Sequence, residues 1–238
     1  MNADPGGLAR RLAEVRDRIA AAERRAGRPA GGVTLIGVVK TQPVESLAEA
    51  VALGLSDLGE NRVQEAEQHQ QGIGRDAARW HLIGHLQRNK VNRALEAFDV
   101  VHGVDDEALG VALAQRAANA GRTVPVLVEV NVSGESGKFG VAPAALPALL
   151  DALSGLAGLE LRGLMTVGAP VEAPEAARAG FSQLRALREA GERRLGRPLP
   201  ELSMGMSGDF EVAIEEGATM VRVGTAIFGA RGIGGVRR

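Results

Sequence analysis

Eight times along this chain a short apolar run gives way to a stretch of helical periodicity, and no other feature limits the fold as strongly. The runs lie at 35–40, 57–61, 80–84, 100–104, 123–131, 159–167, 201–204 and 220–223. The run at 123–131 is nearly unbroken in β-branched residues, the pattern of a parallel strand buried on both faces. Helices are predicted between the runs over 43–53, 62–71, 89–98, 106–120 (with Asp105 as its cap), 143–153, 175–195 and 210–216. Before the first run, Leu8, Leu12, Val15 and Ile19 recur at helical spacing opposite Arg10, Arg11, Glu14 and Arg18, up to a break at Gly27-Arg28-Pro29. No linker or shift in composition interrupts the series. The pattern predicts one α/β domain over residues 1–238, a single (β/α)₈ TIM barrel with an extra N-terminal helix and a frayed tail at 232–238. A doubly wound open sheet is the alternative, but it usually carries a glycine fingerprint after its first strand, and none stands here.

Composition removes several function classes. A net charge of −1 gives no electrostatic footprint for nucleic acid or an anionic membrane, and neither is expected as a partner. No apolar run reaches transmembrane length, and Met1-Asn2-Ala3-Asp4-Pro5-Gly6-Gly7 does not read as a signal peptide, so a cytoplasmic protein is expected. Cysteine is absent, which excludes disulfides, thiolate metal sites and cysteine nucleophiles; tyrosine is absent too.

The first run ends in a lysine. Read as a strand, Leu35-Ile36-Gly37-Val38-Val39-Lys40 places Ile36, Val38 and Lys40 on one face. An ammonium closing a buried strand is costly unless it has a partner or a task. The chain has only three lysines, Lys40, Lys90 and Lys138, against 25 arginines. A lysine kept at a strand end therefore points to what arginine cannot do: lose its proton and form a Schiff base with an aldehyde. The plainer reading is a side chain that snorkels out and pairs with a carboxylate.

A barrel of this type works at the carboxyl ends of its strands. Lys40, Asn61, His85, Asn131, Met165, Ser207 and Arg222-Val223-Gly224-Thr225 all fall there. Ser207-Gly208 and Gly224-Thr225, after the last two strands, combine backbone N–H groups and two hydroxyls, which suits a phosphate; singly, each is a helix cap or a tight turn. Arg222 reads as a rim ion pair or, if a phosphate-bearing pyridine aldehyde sits on Lys40, as a donor to its ring nitrogen. A permanently charged guanidinium there would discourage protonation of the ring and favour carrying the group over using it. His81 and His85, four apart on a strand, are taken as structural, with no metal site expected. Asn131-Val132-Ser133 matches a glycosylation sequon by letter only. Glu60 and Asp209 read as solvated rim carboxylates, and Lys138 as a loop lysine that could reach over the site.

Taken in order, several motifs resemble one family. They are Val38-Val39-Lys40-Thr41, Gly59-Glu60-Asn61-Arg62-Val63-Gln64-Glu65, Trp80-His81-Leu82-Ile83-Gly84-His85-Leu86-Gln87-Arg88-Asn89-Lys90, Arg162-Gly163-Leu164-Met165, Leu202-Ser203-Met204-Gly205-Met206-Ser207 and Val221-Arg222-Val223-Gly224-Thr225-Ala226-Ile227-Phe228-Gly229. The chain resembles the pyridoxal 5'-phosphate homeostasis proteins, relatives of the alanine racemase barrel domain. The resemblance implies a barrel carrying pyridoxal 5'-phosphate (PLP) as an aldimine on Lys40. It implies phosphate contacts at Ser207, Gly224 and Thr225, a ring-nitrogen arginine at Arg222, a ring-side asparagine at Asn61, a further contact at Met165 and a secondary cofactor site at Lys138. Two positions depart from the family pattern: His85, where proline is common, and Gly208, where a second acidic residue is common.

The resulting expectation is a monomeric PLP carrier acting in vitamin B6 homeostasis without turnover of its own, with apo-enzymes that use PLP as possible recipients. An amino-acid racemase is the alternative. It needs a base on each face of the cofactor, and the expected tyrosine and its second domain are not found in the sequence, although His85 could substitute. A Schiff-base aldolase holding a sugar phosphate is a third reading.

Overall fold

A computed structural model describes residues 7–135, 137–168 and 172–229; the tail predicted at 232–238 lies outside the described residues. Helix α1 (Gly7–Arg25) comes first, and strand and helix then alternate as β1 (Thr34–Val38), α2 (Val44–Ala52), β2 (Asp57–Glu60) and α3 (Val63–Ile73). They continue as β3 (Arg79–Leu82), α4 (Val91–Ala97), β4 (Val100–Val104), α5 (Glu107–Asn119), β5 (Val124–Glu129) and α6 (Leu146–Ser154). The series ends with β6 (Leu159–Met165), α7 (Arg178–Leu195), β7 (Glu201–Ser203), α8 (Phe210–Glu215), β8 (Met220–Val223) and the one-turn α9 (Thr225–Phe228). The strands follow one another around a closed parallel barrel, and Leu35 beside Val221 joins the last strand to the first. The open-sheet alternative is therefore excluded.

Parallel strands buried on both faces produce two apolar layers. The larger lies between strands and helices and includes Leu12, Leu47, Trp80, Phe98, Leu113, Phe181 and Phe210. The smaller, Val100, Leu127 and Met165, fills part of the barrel interior. Across the interior Ile36 and Ile83 close over Gly59, where an added Cβ would lie 2.9 Å from Ile36 Cγ2. The extra helix is tied to the end of the chain: Arg11 Nε donates to the Ile227 carbonyl at 2.7 Å, and Arg18 pairs with Glu211 at 2.7 Å. Buried Glu23 accepts the Gly31 and Val33 N–H groups at 3.0 and 2.9 Å, which fixes the entry into β1.

Element ends differ from the sequence reading where backbone pairing stops before apolarity does. The helix expected over 106–120 is capped by Asp106, whose Oδ1 accepts the Leu109 N–H at 2.6 Å. Asp105 lies between the end of β4 and that cap, and its side chain turns instead to the Gly140 N–H at 3.4 Å and to His85 at 3.5 Å. In β6 the pairing with β5 slips between Leu161 and Gly163, so Arg162 is an extra, bulged residue. Gly163 then lies directly against the Glu201 backbone carbonyl of β7, and a Cβ there would overlap backbone that cannot move aside. Gly163→Ala is expected to cost about 3 kcal/mol or more of unfolding free energy, as overpacking against fixed atoms does, and to fold poorly; urea unfolding with the wild type as reference reads the loss.

Candidate functional site

β1 stops at Val38, two residues before the lysine that was expected to close it. Lys40 lies in a turn closed by Gln42 N–H to Val39 O at 3.0 Å, and its side chain is exposed. The burial cost assumed from the sequence therefore does not arise, because the chain leaves the barrel before the ammonium is reached. The turn is strained: Thr41, a β-branched residue, takes φ of +62°. Two buried groups brace it from below. His69 on α3 donates through Nε2 to the Gln42 carbonyl at 2.9 Å, and its Nδ1 meets Glu60 Oε1 at 2.7 Å. Glu60 is fully buried at the end of β2, not the solvated rim carboxylate expected. The Glu60 hydrogen bond holds the His69 ring above its usual pKa, and burial pushes the Glu60 carboxyl up.

At the far end of the strand series, Ser207 Oγ accepts N–H groups from Gly224 at 3.2 Å and Ala226 at 3.3 Å. Buried Asp209, also expected at the solvated rim, accepts the Met206 N–H at 2.6 Å and shapes this turn. Gly224 packs on β1; an added Cβ would lie 3.3 Å from Val38 O and 3.4 Å from Val38 Cβ. That contact places the Ser207–Gly224–Ala226 cradle against the strand that leads to Lys40. Thr225 is exposed beside it, and the Gly208 position faces open space.

Between cradle and interior lies Arg222, only 3% exposed. It donates to Ser203 Oγ at 2.6 Å and to the Thr166 carbonyl at 2.7 Å, both neutral acceptors, so it is not a rim ion pair. Burial lowers its pKa to about 10, which leaves it protonated at neutral pH. Glu129, at the end of β5, is pushed up to about 7 by burial and then by Asp105, with Arg222 opposing. Met165 is fully buried against Val100 and Leu127, so it underlies the barrel mouth and does not line it. Asn61 is half-buried at the end of β2. His85 stacks on Phe139 with centroids 4.1 Å apart, and Lys138 pairs with Glu135 at 2.8 Å. Asn131 caps that same loop through Gly134 N–H at 3.1 Å.

The structure thus brings Lys40, Ser207, Gly224 and Arg222 to one side of the mouth, with Lys138 on the loop that follows β5. Sequence reasoning missed His102, Ser203, Thr166 and Glu129. Their one sequence signal is a polar residue inside an apolar strand run, as in Val100-Val101-His102-Gly103-Val104. Among the described residues no group of three or more His, Asp or Glu side chains could hold a metal ion. The donor set fits a phosphorylated aldehyde: an exposed amine, a hydroxyl with backbone N–H groups beside it, and a fixed guanidinium in the interior below.

The family model for the alanine racemase N-terminal domain matches residues 11–232. A Pseudomonas aeruginosa protein named pyridoxal phosphate homeostasis protein is 44% identical over 227 residues, covering 95% of this chain and 97% of its own. An Aquifex aeolicus protein of the same name is 43% identical over 221 residues, covering 93% and 97%. Among solved structures, PipY of Synechococcus elongatus with PLP bound matches at a TM-score of 0.80 and 37% identity, covering 90% of this chain and 100% of that one.

The brace beneath Lys40 has a measurable signature. His69→Phe leaves the buried Glu60 carboxyl and the Gln42 carbonyl without their partner and is expected to cost about 2 kcal/mol of stability at neutral pH. Because the folded ring binds its proton more tightly than the unfolded one, its contribution is full below about pH 6.5 and is lost as pH rises through the raised value. Urea unfolding at about pH 6 and about pH 9 should show the wild-type advantage over the variant shrinking at the higher pH.

Proposed function

The chain belongs to the pyridoxal phosphate homeostasis protein family, and from that membership we propose that it binds PLP as a Schiff base on Lys40 and carries it in vitamin B6 homeostasis without turnover of its own. The observation that carries this reading is the packing of Gly224 on Val38, which sets an anion cradle beside the strand that delivers the amine. PipY, which binds PLP, supports it through a shared fold and 37% identity. The cofactor supplies an aldehyde that condenses with an amine and a phosphate that anchors it.

The chain's own residues divide the work. Ser207, Gly224 and Thr225 take the phosphate with the Ala226 N–H beside them, Arg222 faces the ring nitrogen, and Asn61 flanks the ring. Lys40, held on a strained turn outside the core, keeps its amine open to water and to exchange partners. An exposed nucleophile suits reversible loading and release more than enclosed chemistry. Met165 contributes as the floor beneath the ring. Lys138, paired with Glu135 on the loop after β5, is proposed as the secondary site. Apo-enzymes that use PLP are the proposed recipients, in the cytoplasm, with the carrier as a monomer. No helix among the described residues is long and apolar enough to cross a membrane.

A visible absorption spectrum before and after adding PLP, followed by borohydride reduction and peptide mapping, tests the assignment. A pyridoxyl group fixed on Lys40 is expected. Lys40→Ala should lose the chromophore and Arg222→Glu should weaken binding by about tenfold or more, as loss of a buried charge-assisted contact does. An unchanged spectrum in Lys40→Ala would overturn the assignment; no chromophore in the wild type would favour a Schiff-base aldolase.

A further inference from the structure

A row of polar side chains crosses the barrel interior beneath the candidate site, and the functional reading above leaves most of it unused. Asp57, at the amino end of β2, meets His81 Nε2 at 2.9 Å. His81 Nδ1 meets His102 Nε2 at 2.9 Å, and His102 Nδ1 meets Ser203 Oγ at 3.0 Å. Arg222 then donates to the same Ser203 oxygen at 2.6 Å. His81, His102 and Ser203 are fully buried, in a layer where unsatisfied polar groups would be costly. Four neighbouring apolar side chains would fill this space more cheaply, so the row calls for an explanation.

Donor and acceptor chemistry gives the row a direction. The guanidinium can only donate, so Ser203 Oγ accepts from Arg222. Its own hydroxyl proton then goes to His102 Nδ1. A neutral His102 with an acceptor at Nδ1 must carry its proton on Nε2, which points to His81 Nδ1. His81 in turn carries its proton on Nε2 and donates it to the Asp57 carboxylate. Every donor finds one acceptor, and charge stands only at the two ends. The reverse direction would require a doubly protonated His81 ring and would leave the Ser203 hydroxyl proton without a partner in the row. Burial first, and then the positive charge of Arg222, holds the His102 ring well below its usual pKa, in keeping with a neutral ring. At the far end burial works against the Asp57 carboxylate, but hydrogen bonds from His81 and Ser56 keep it below the usual carboxylate range.

We infer that Asp57, His81, His102 and Ser203 form one directional hydrogen-bond chain through the barrel, and that its task is to fix the Arg222 guanidinium in the orientation that receives the cofactor ring. His102 and Ser203 are thus positioning residues. With one nitrogen tied to Ser203 and the other to the Thr166 carbonyl, the planar fork cannot rotate, and these are its only hydrogen bonds among the described residues. The inference rests on the reading of Arg222 as the ring partner, and it extends the site from the carboxyl ends of the strands to the opposite end of the barrel.

Two measurements test it. The first needs no cofactor: nitrogen-15 NMR of the four histidines in the unloaded protein, assigned by single substitution, reports each tautomer. His81 and His102 should each be protonated on Nε2 alone at neutral pH; a proton on His102 Nδ1 or a doubly protonated His81 overturns the chain. The second is PLP titration. His102→Phe and Ser203→Ala should each weaken binding by about tenfold, and adding His102→Phe to Arg222→Lys should bring no further loss, because both act through one guanidinium. Wild-type affinity in a folded His102→Phe protein, or losses that multiply in the double variant, overturns the positioning role. If His102→Phe does not fold, Ser203→Ala, alone and combined with Arg222→Lys, reads the same coupling with the same two outcomes. Failure of the wild type to bind PLP would remove the functional reading and the positioning role with it, while the tautomers would still decide whether the chain exists.

Discussion

Closure of the parallel sheet is the constraint on which the rest depends. Once β8 pairs with β1, every strand has both faces covered, and any polar side chain pointing inward must find its partner inside the barrel. The interior of this barrel is accordingly mixed: Val100, Leu127 and Met165 fill one part, and the row from Asp57 to Arg222 crosses another. An arginine standing alone there would be prohibitive. Anchored on a serine hydroxyl and a backbone carbonyl, it becomes a rigid element on which a site can be built.

Closure also decides where the exchangeable chemistry goes. The strands' carboxyl ends converge on one mouth, and the turns that leave them are free to depart from regular geometry. The Lys40 turn uses that freedom, with a threonine in the left-handed region held by His69 and Glu60 from beneath. Ser207 and Gly224 use it differently, gathering two backbone N–H groups around one hydroxyl. A rigid interior arginine thus lies beneath a mouth whose rim carries an exposed lysine and a hydroxyl with two backbone N–H groups beside it.

Much of this was legible in the residues. Alternation of apolar runs with helical periodicity pointed to the barrel, the strand order and the extra helix, because hydrophobic period is a local property that burial on two faces makes conspicuous. The motif set singled out Lys40, Ser207, Arg222, Gly224 and Thr225. Burial was less legible. Lys40 was expected at the end of a buried strand and is exposed in a turn, whereas Glu60 and Asp209 were expected in solvent and are buried. Each depends on where backbone pairing ends and what packs above, and neither is written in neighbouring residues. Asp105 lost its expected capping role to Asp106 because β4 ends at Val104 and Asp105 intervenes before the cap.

By itself, then, the sequence determined the barrel and supplied residue types able to bind a phosphorylated aldehyde. Only the tertiary structure decided which of them meet. His81 and His102 are 21 positions apart and Ser203 a further 101, yet they share hydrogen bonds because β3, β4 and β7 face one interior. Hydrogen-bond satisfaction in a closed barrel is a property of all eight strands at once, and no local pattern encodes it.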